Sequence, residues 1–157
     1  MAIFKKPPFR GAGEKKRDMP EGLWQKCPGC GEVIHELELK RTLRTCPNCN
    51  HHFLLSARER IDSLVDPDSF EEMDADLDSV DALKFQNYRD KVQKYQSSTD
   101  LRDAVVTGRA RILGHPLLLG VMDFRFLGAS MGSVVGEKIT RAIEAATAER
   151  AAVVIVS

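Results

Sequence analysis

Four cysteines arranged as two C-x2-C pairs are the residues of this sequence best suited to a specific chemistry, the binding of a metal ion. Cys27 and Cys30 form the first pair, Cys46 and Cys49 form the second, and fifteen residues separate the pairs. Two such turns can each present two thiolates to one metal and complete a tetrahedron with Zn–S distances of about 2.3 Å. Four thiolates leave no open coordination position, so we predict one structural Zn²⁺ that supplies most of the stability of this small segment.

The residues around the cysteines favour zinc over other thiolate chemistry. Gly31 and Asn50 follow the second cysteine of each pair and tolerate the positive φ that such turns require. Redox-active C-x-x-C pairs would be expected at the start of a helix in a βαβ unit, and an iron–sulfur cluster needs a different ligand geometry, so both alternatives are weaker. A histidine ligand is a further alternative at three positions: His35, His51 and His52.

Basic side chains lie between and after the cysteine pairs, at Lys40, Arg41 and Arg44. Such a cluster suits contact with phosphate groups, so we predict these three residues as a nucleic-acid or phosphate contact. Cysteine-bearing zinc modules also serve as packing or interaction modules, and the pattern alone does not decide between these functions.

A glycine-rich turn over Gly128, Ala129, Ser130, Met131 and Gly132 is the second segment with chemical potential. The nearby sequence GSVVGEK, residues 132–138, resembles a phosphate-binding P-loop only superficially. A P-loop needs four residues between its glycines and a lysine directly after the second, whereas here three residues intervene and Glu137 precedes Lys138. A nucleoside triphosphate site is therefore not expected here.

The segments that position these residues form four predicted regions. Residues 1–22 form a basic arm predicted to be disordered, and residues 23–53 form a zinc ribbon whose spacer alternates Val33, His35, Leu37 and Leu39 as a strand leading into a hairpin. Residues 54–100 are a helical acidic connector. It holds a helix that Ser56 and Glu59 begin as a capping box and Asp66-Pro67 ends, and a second helix over 85–97.

Residues 101–157 have a pattern typical of a βαβ unit. We predict a strand over 104–113, a turn at 114–116, a hairpin partner over 117–124, a helix over 134–150 and an apolar strand over 152–156, buried on both faces. The buried stripe of the helix is predicted from its spacing to comprise Val135, Ile139, Ala142, Ile143 and Ala146. A strand buried on both faces needs more neighbours, so this region is interpreted as the first part of a larger domain.

Composition and charge exclude several classes of protein. The chain has 157 residues, 43% hydrophobic, and no apolar run approaches the roughly 18 residues needed to span a bilayer, so membrane insertion is not expected. Residues 1–20 carry six basic and two acidic side chains without an apolar core, which excludes a secretory signal and favours a cytoplasmic, reducing environment. Residues 61–100 carry four basic and eleven acidic side chains. Such an asymmetry is typical of solvated surfaces, and the alternative is that the basic arm steers the chain toward an anionic partner.

Together, the cysteine segment LWQKCPGCGEVIHELELKRTLRTCPNC, the stretch YRDKVQKYQSSTDLRDAVVTGRARILGHPLLLGVMDF and the turn FLGASMGSVVGEKI resemble the carboxyltransferase beta subunits of bacterial and plastid-type acetyl-coenzyme A carboxylases. The resemblance covers about residues 21–157. It implies a mixed α+β and α/β fold, in which the zinc ribbon precedes the first part of a crotonase-like (ClpP-like) ββα domain. It also implies a cytoplasmic location, or the plastid stroma for a plastid-encoded chain.

The resemblance implies transfer of a carboxyl group from carboxybiotin to acetyl-CoA, giving malonyl-CoA for fatty-acid biosynthesis. The implied partners are a carboxyltransferase alpha subunit, a biotin carboxyl carrier protein and a biotin carboxylase. Biotin is expected on the carrier, because this chain contains no Met-Lys-Met sequence.

The implied reaction needs donors aimed at an enolate oxygen, which backbone amides at glycine turns and helix N-termini provide, so no catalytic side chain is predicted. We expect the backbone of Gly128 to Gly132 to form part of the acyl-CoA surface, lined by Ser130 and Met131. The family often has glycine in place of Ala129, whose Cβ is expected to narrow the approach to the backbone. The family continues past the strand over 152–156 into a second glycine turn that resembles the main oxyanion hole, so this chain is not expected to catalyse alone.

Overall fold

The computed structural model describes residues 23–157, and the predicted arm over 1–22 lies outside them. The elements, in chain order, are β1 (Trp24–Lys26), β2 (Val33–His35), α1 (Glu36–Arg41), α2 (Ala57–Leu64), β3 (Glu71–Met73), α3 (Tyr88–Thr99), β4 (Val105–Ile112), β5 (His115–Met122), α4 (Ser133–Glu149) and β6 (Ala152–Val156). Over the described residues, none of the helices is both long enough and apolar enough to cross a membrane.

The cysteine-bearing segment folds around a very small core. Strands β1 and β2 pair antiparallel, and Ile34 and Leu39 are buried with Cys27 and Cys46. The predicted strand through Leu39 is wrong beyond His35, because the chain turns there into helix α1. The His35 ring accepts a hydrogen bond from the Leu37 amide at 3.1 Å and so caps the helix, which carries Leu39 into the same cluster as Ile34.

A four-stranded sheet in the order β3-β4-β5-β6 forms the second body of the chain. The β4–β5 hairpin pairs Ile112 with His115, so the turn is shorter than predicted and His115 and Pro116 belong to β5. Strand β6 lies parallel to β5 after the crossover helix α4, which confirms the predicted βαβ unit. Strand β3, which pairs antiparallel with β4, lies in the region over 54–100 that we predicted to be a helical connector.

Helices cover the sheet, and their ends follow local signals. The predicted capping box at α2 is confirmed: the Ser56 hydroxyl accepts from the Glu59 amide, and the Glu59 carboxylate accepts from the Ser56 amide at 2.9 Å. Helix α2 packs on β4 and β5 through Ala57 and Ile61. Helix α3 begins three residues later than predicted, after Asn87 in the left-handed conformation.

Two burial predictions for the last elements are wrong. Ile143 is 48% exposed, because the face of α4 that meets the sheet follows a strict four-residue step through Lys138, Ala142 and Ala146. Strand β6 is exposed along most of its length, because in the described residues it has one neighbouring strand, β5, rather than two.

Candidate metal centre and glycine turn

The four cysteine sulfurs converge on one point and fit a tetrahedral zinc ion. All four Sγ atoms lie within 4.8 Å of one another. The Cys27–Cys49 sulfur pair is 3.6 Å apart and the Cys30–Cys46 pair 3.8 Å. A tetrahedron with Zn–S bonds of about 2.3 Å has edges of about 3.8 Å, so these separations match the ion. The predicted ligand set therefore fits one structural zinc, with no position left for a substrate.

The backbone builds the two halves of the centre in the same way. In each half, the first cysteine carbonyl accepts a hydrogen bond from the amide four residues later: Gly31 donates to Cys27 at 2.8 Å and Asn50 donates to Cys46 at 2.9 Å. Both donors have positive φ, 79° and 59°, as their residue types predicted. The repeated turn directs two sulfurs of each pair toward the same point.

The four thiols affect one another's ionisation. Hydrogen bonds from the Glu32 backbone amide and the Asn48 side chain lower the pKa of Cys30 to about 7. A hydrogen bond from the His51 amide would lower the pKa of Cys49, but desolvation and the other three sulfurs raise it to about 12. Four adjacent thiolates repel one another without a cation, so full ionisation of the cluster depends on the metal.

The three histidines near the cysteines lie outside this cluster. The His35 ring caps α1 and packs edge-on against Trp24, with ring centroids 4.8 Å apart. The His51 ring packs edge-on against Phe53 at 5.2 Å, and the His52 Nδ1 atom lies 3.4 Å from the Thr45 hydroxyl. Their contacts are those of packing and capping residues.

The three basic residues predicted to contact phosphate have different environments. Lys40 and Arg41 are exposed on α1. The Arg44 side chain is only 18% exposed and its guanidinium contacts Glu36 at 2.6 Å and Glu59 at 2.7 Å. Because Glu59 also caps α2, Arg44 joins the zinc ribbon to the helix that begins the second body. Its charge is therefore engaged by two carboxylates.

The glycine turn connects β5 to α4 and holds an unusual run of backbone conformations. Leu127, Gly128 and Ala129 all have positive φ, at 48°, 65° and 56°. A Cβ added at Gly128 would meet nothing within 4 Å, whereas the Ala129 side chain packs against the main core. The expectation that the Ala129 methyl narrows the approach of a ligand to the backbone stays a prediction, although this methyl packs in part on the core.

The turn presents unpaired backbone donors beside exposed apolar surface. The Ala129 and Gly132 amides donate within the turn, but those of Gly128, Ser130 and Met131 find no acceptor among residues 23–157. Gly132 begins α4 without a side-chain cap. A helix N-terminus and free amides suit a developing negative charge on oxygen, and the side chain of Met131 is 80% exposed beside them.

Sequence reasoning missed Asp123, which follows the last residue of β5 on the way to this turn. Its carboxylate is completely buried and accepts hydrogen bonds from the Ala57 amide at 2.8 Å and from Arg125. Burial alone would raise the pKa of Asp123, but the Arg125 guanidinium and the two backbone amides lower it below the ordinary aspartate value. The available signal was an aspartate placed immediately after six buried strand residues.

Comparisons with known proteins agree with this division of the chain. Residues 24–49 match the model described as the acetyl-CoA carboxylase zinc finger domain, and residues 54–157 match the carboxyl transferase domain. The second match includes the stretch that we predicted to be a connector.

Named relatives are similar along most of the chain. The acetyl-coenzyme A carboxylase carboxyl transferase subunit beta of Desulforamulus reducens is 44% identical, with the alignment covering 100% of this chain and 58% of the relative. The same-named protein of Synechococcus sp. strain CC9605 is 49% identical, over 91% of this chain and 50% of the relative. The chain thus spans about half the length of the curated relatives it matches.

A solved structure supports the crotonase-like carboxyltransferase fold predicted for the second body. The transcarboxylase 12S crystal structure with methylmalonyl-coenzyme A and methylmalonic acid bound superposes with a TM-score of 0.52 at 29% identity. The match covers 65% of this chain and 18% of that one.

Proposed function

Because this chain belongs to the carboxyl transferase family, we propose that it serves as the beta subunit of an acetyl-CoA carboxylase carboxyltransferase. The proposed reaction moves a carboxyl group from carboxybiotin to acetyl-CoA and gives malonyl-CoA for fatty-acid biosynthesis. The observation that carries the proposal is the combination, in one chain, of a closed four-cysteine zinc ribbon with a carboxyltransferase domain whose glycine turn exposes free amides.

The residues of this chain would act through binding and orientation. The free amides of Gly128, Ser130 and Met131 are suited to hold the thioester oxygen of acetyl-CoA as negative charge develops on it. The N-terminus of α4 adds the positive end of a helix dipole at the same place. Biotin, on a separate carrier protein, would supply the carboxyl group. The zinc held by Cys27, Cys30, Cys46 and Cys49 would fold the ribbon and take no part in the chemistry.

Gly128 and Gly114 allow a matched test of the acyl-CoA surface. An alanine would be strained at either position, but the two glycines lie in different turns. Gly128 and Gly114 have φ of 65° and 79°, and an added Cβ meets nothing within 4 Å at either position. Gly114 lies in the remote β4–β5 turn. We expect Gly128→Ala to weaken acetyl-CoA binding at least tenfold in the complex with the alpha subunit, and Gly114→Ala to leave it unchanged. The two variants should lose similar free energy of unfolding.

Acetyl-CoA binding is measured by equilibrium dialysis, and the loss of stability by urea denaturation. Equal affinities for the two variants would overturn the placement of the acyl-CoA surface at this turn. Malonyl-CoA formation by the 157-residue chain with its partners is expected to be absent. Activity near that of an intact enzyme would contradict the expectation that the chain does not catalyse alone.

The proposed partners are the alpha subunit, a biotin carboxyl carrier protein and a biotin carboxylase, in the cytoplasm or in the plastid stroma. The exposed apolar side chains of the ribbon, including Trp24 and Leu37, support a role in docking one of them. Capture of a purified alpha subunit by the chain with and without residues 23–52 tests this role. Equal capture by both forms would assign docking to the second body.

Nucleic-acid binding is the second candidate function, and the exposure of Lys40 and Arg41 on one short helix favours it. Arg44 contributes less, because two carboxylates engage it. Double replacement of Lys40 and Arg41 by Glu should weaken binding to single-stranded RNA and flatten its salt dependence. The control replaces the exposed Lys91 and Lys94 of α3 by Glu. Equal weakening in both variants would indicate non-specific charge attraction.

A further inference from the structure

Asp123 is one of three charged residues that are buried in the described part of the chain, with Asp103 and Lys138. Its carboxylate accepts four hydrogen bonds. The donors are the Ala57 amide at 2.8 Å, the Arg125 amide at 3.0 Å, and the Nε and Nη2 atoms of the Arg125 guanidinium at 3.0 and 2.8 Å. Both carboxylate oxygens are therefore fully engaged, which is what a buried charge requires.

These hydrogen bonds join three separate elements at one point. Ala57 is the first residue of α2, Asp123 follows the end of β5, and Arg125 lies in the turn that leads to Gly128. The main chain of Asp123 adds two more bonds, since its amide donates to the Ala104 carbonyl at 2.8 Å and its carbonyl accepts from Phe126 at 3.1 Å. The start of the glycine turn is thus attached to both the sheet and α2.

The turn needs such an attachment, because it is conformationally unfavourable. Leu127 and Ala129 carry Cβ atoms and still adopt the left-handed conformation, with Gly128 between them. An unfavourable run persists only where its surroundings hold it. On the C-terminal side α4 holds it, and on the N-terminal side the anchors are the buried Phe126 and the Asp123–Arg125 pair.

We propose that Asp123 is a positioning residue, which holds the strained turn in the conformation that presents its free amides to the acyl-CoA substrate. That the ligand is an acyl-CoA rests on the proposed function, whereas the structural role of Asp123 does not. Asp123 touches no reacting atom in this arrangement and acts through Arg125 and the backbone of the turn.

The negative charge of Asp123 is the property that matters. In Asp123→Asn the side-chain shape is retained, but the amide nitrogen must face one of the N–H donors that surround the carboxylate. At least one buried donor then loses its acceptor. The N-terminal end of the turn is then held by fewer hydrogen bonds. Asp103→Asn is a matched control. Asp103 is also buried and bonds the Ala104 amide and the Ser79 hydroxyl, at 2.7 and 2.8 Å, without contacting the turn.

Amide hydrogen exchange in the intact chain is the decisive measurement. The Phe126 and Ala129 amides are hydrogen-bonded at the start of the turn, and their exchange should accelerate at least tenfold in Asp123→Asn. In Asp103→Asn their exchange should stay within a factor of two of the wild type. Unchanged exchange in Asp123→Asn, or equal acceleration in both variants, would overturn the proposal. If Asp123→Asn does not fold, Arg125→Met tests the same link, with an expected acceleration of about threefold.

Acetyl-CoA affinity in the complex with the alpha subunit separates positioning from simple stability. A structural role alone would lower the folded fraction and leave the Kd of the folded protein unchanged. Positioning predicts a Kd at least tenfold weaker for folded Asp123→Asn at unchanged zinc content. If the wild type itself binds no acetyl-CoA, the proposed function fails, while the exchange result still decides whether Asp123 holds the turn.

Discussion

Removal of zinc should unfold residues 23–53, because the ribbon buries very little apolar surface of its own. Apart from two cysteines, its core consists of Ile34 and Leu39, with Phe53 partly buried beside them. Two buried aliphatic side chains contribute roughly 3 to 6 kcal/mol together, whereas a structural zinc contributes roughly 10 to 16 kcal/mol in comparable small domains. The metal therefore makes the larger contribution to the stability of the ribbon, and the ribbon should not stay folded without it.

Cys46→Ser is the perturbation that tests this reasoning most directly, because Cys46 is completely buried at the centre of the cluster. The bound zinc should fall from one ion per chain to nearly none. Amides over residues 27–50 should then exchange as in an unfolded peptide, and protease should cleave within the ribbon. The second body should remain folded, because its core is a separate cluster.

The assays are zinc analysis by mass spectrometry, amide exchange and limited proteolysis. His52→Ala is the control, because His52 is close to the cluster in sequence but lies outside it, so zinc and protection should both be retained. Persistent amide protection in zinc-free Cys46→Ser would refute the argument that the metal folds the ribbon. Full zinc occupancy in that variant would refute the ligand assignment.

Three further predictions concern stability, measured by urea denaturation. Ala129→Gly relieves about 1 kcal/mol of left-handed strain but also removes a methyl that packs on the core, so stability should stay within about 0.5 kcal/mol of the wild type, whereas Ala145→Gly inside α4 relieves no such strain and should cost about 1 kcal/mol; equal losses in the two variants would contradict the strain. Arg44→Met should cost about 2 kcal/mol because Arg44 is largely buried between two carboxylates, whereas Arg109→Met, at an exposed ion pair, should have little effect on stability. Equal costs for those two variants would show that the link between ribbon and α2 is weak. The lowered pKa of Asp123 means that its ionised form stabilises the fold above about pH 4, and that this contribution is lost as the pH falls through the lower folded value. Wild-type stability should therefore fall more steeply below pH 4 than that of Asp123→Asn, and parallel profiles would contradict the role of the charge.

The metal centre could be predicted from the sequence because its geometry is local. Each C-x-x-C turn closes through a hydrogen bond spanning four residues, and the residue types at positions 31 and 50 match the positive φ that the turn requires. The Ser56–Glu59 capping box was predictable for the same reason. The hairpin and the βαβ crossover also followed from patterns within short segments.

Errors occurred where a local pattern fitted two structures. Alternating Val33, His35, Leu37 and Leu39 satisfies a strand, yet the chain forms helix α1 after His35, because the ring caps the helix and Leu39 then packs on Ile34. Similarly, apolar spacing on α4 predicted a buried Ile143, although the sheet meets a stripe one position away. Both choices depend on the surface against which the element packs.

The sequence by itself determined the zinc ligands, the two turns that hold them and the order of most elements, since these depend on spacing and on the φ preferences of single residues. Only the tertiary structure decided which charged side chains are buried and which distant groups they form hydrogen bonds with. Asp123 bonds an amide 66 residues away, and Arg44 bonds a carboxylate 15 residues away. A buried charge is stable only where distant donors or acceptors converge on it, and no local pattern specifies that convergence.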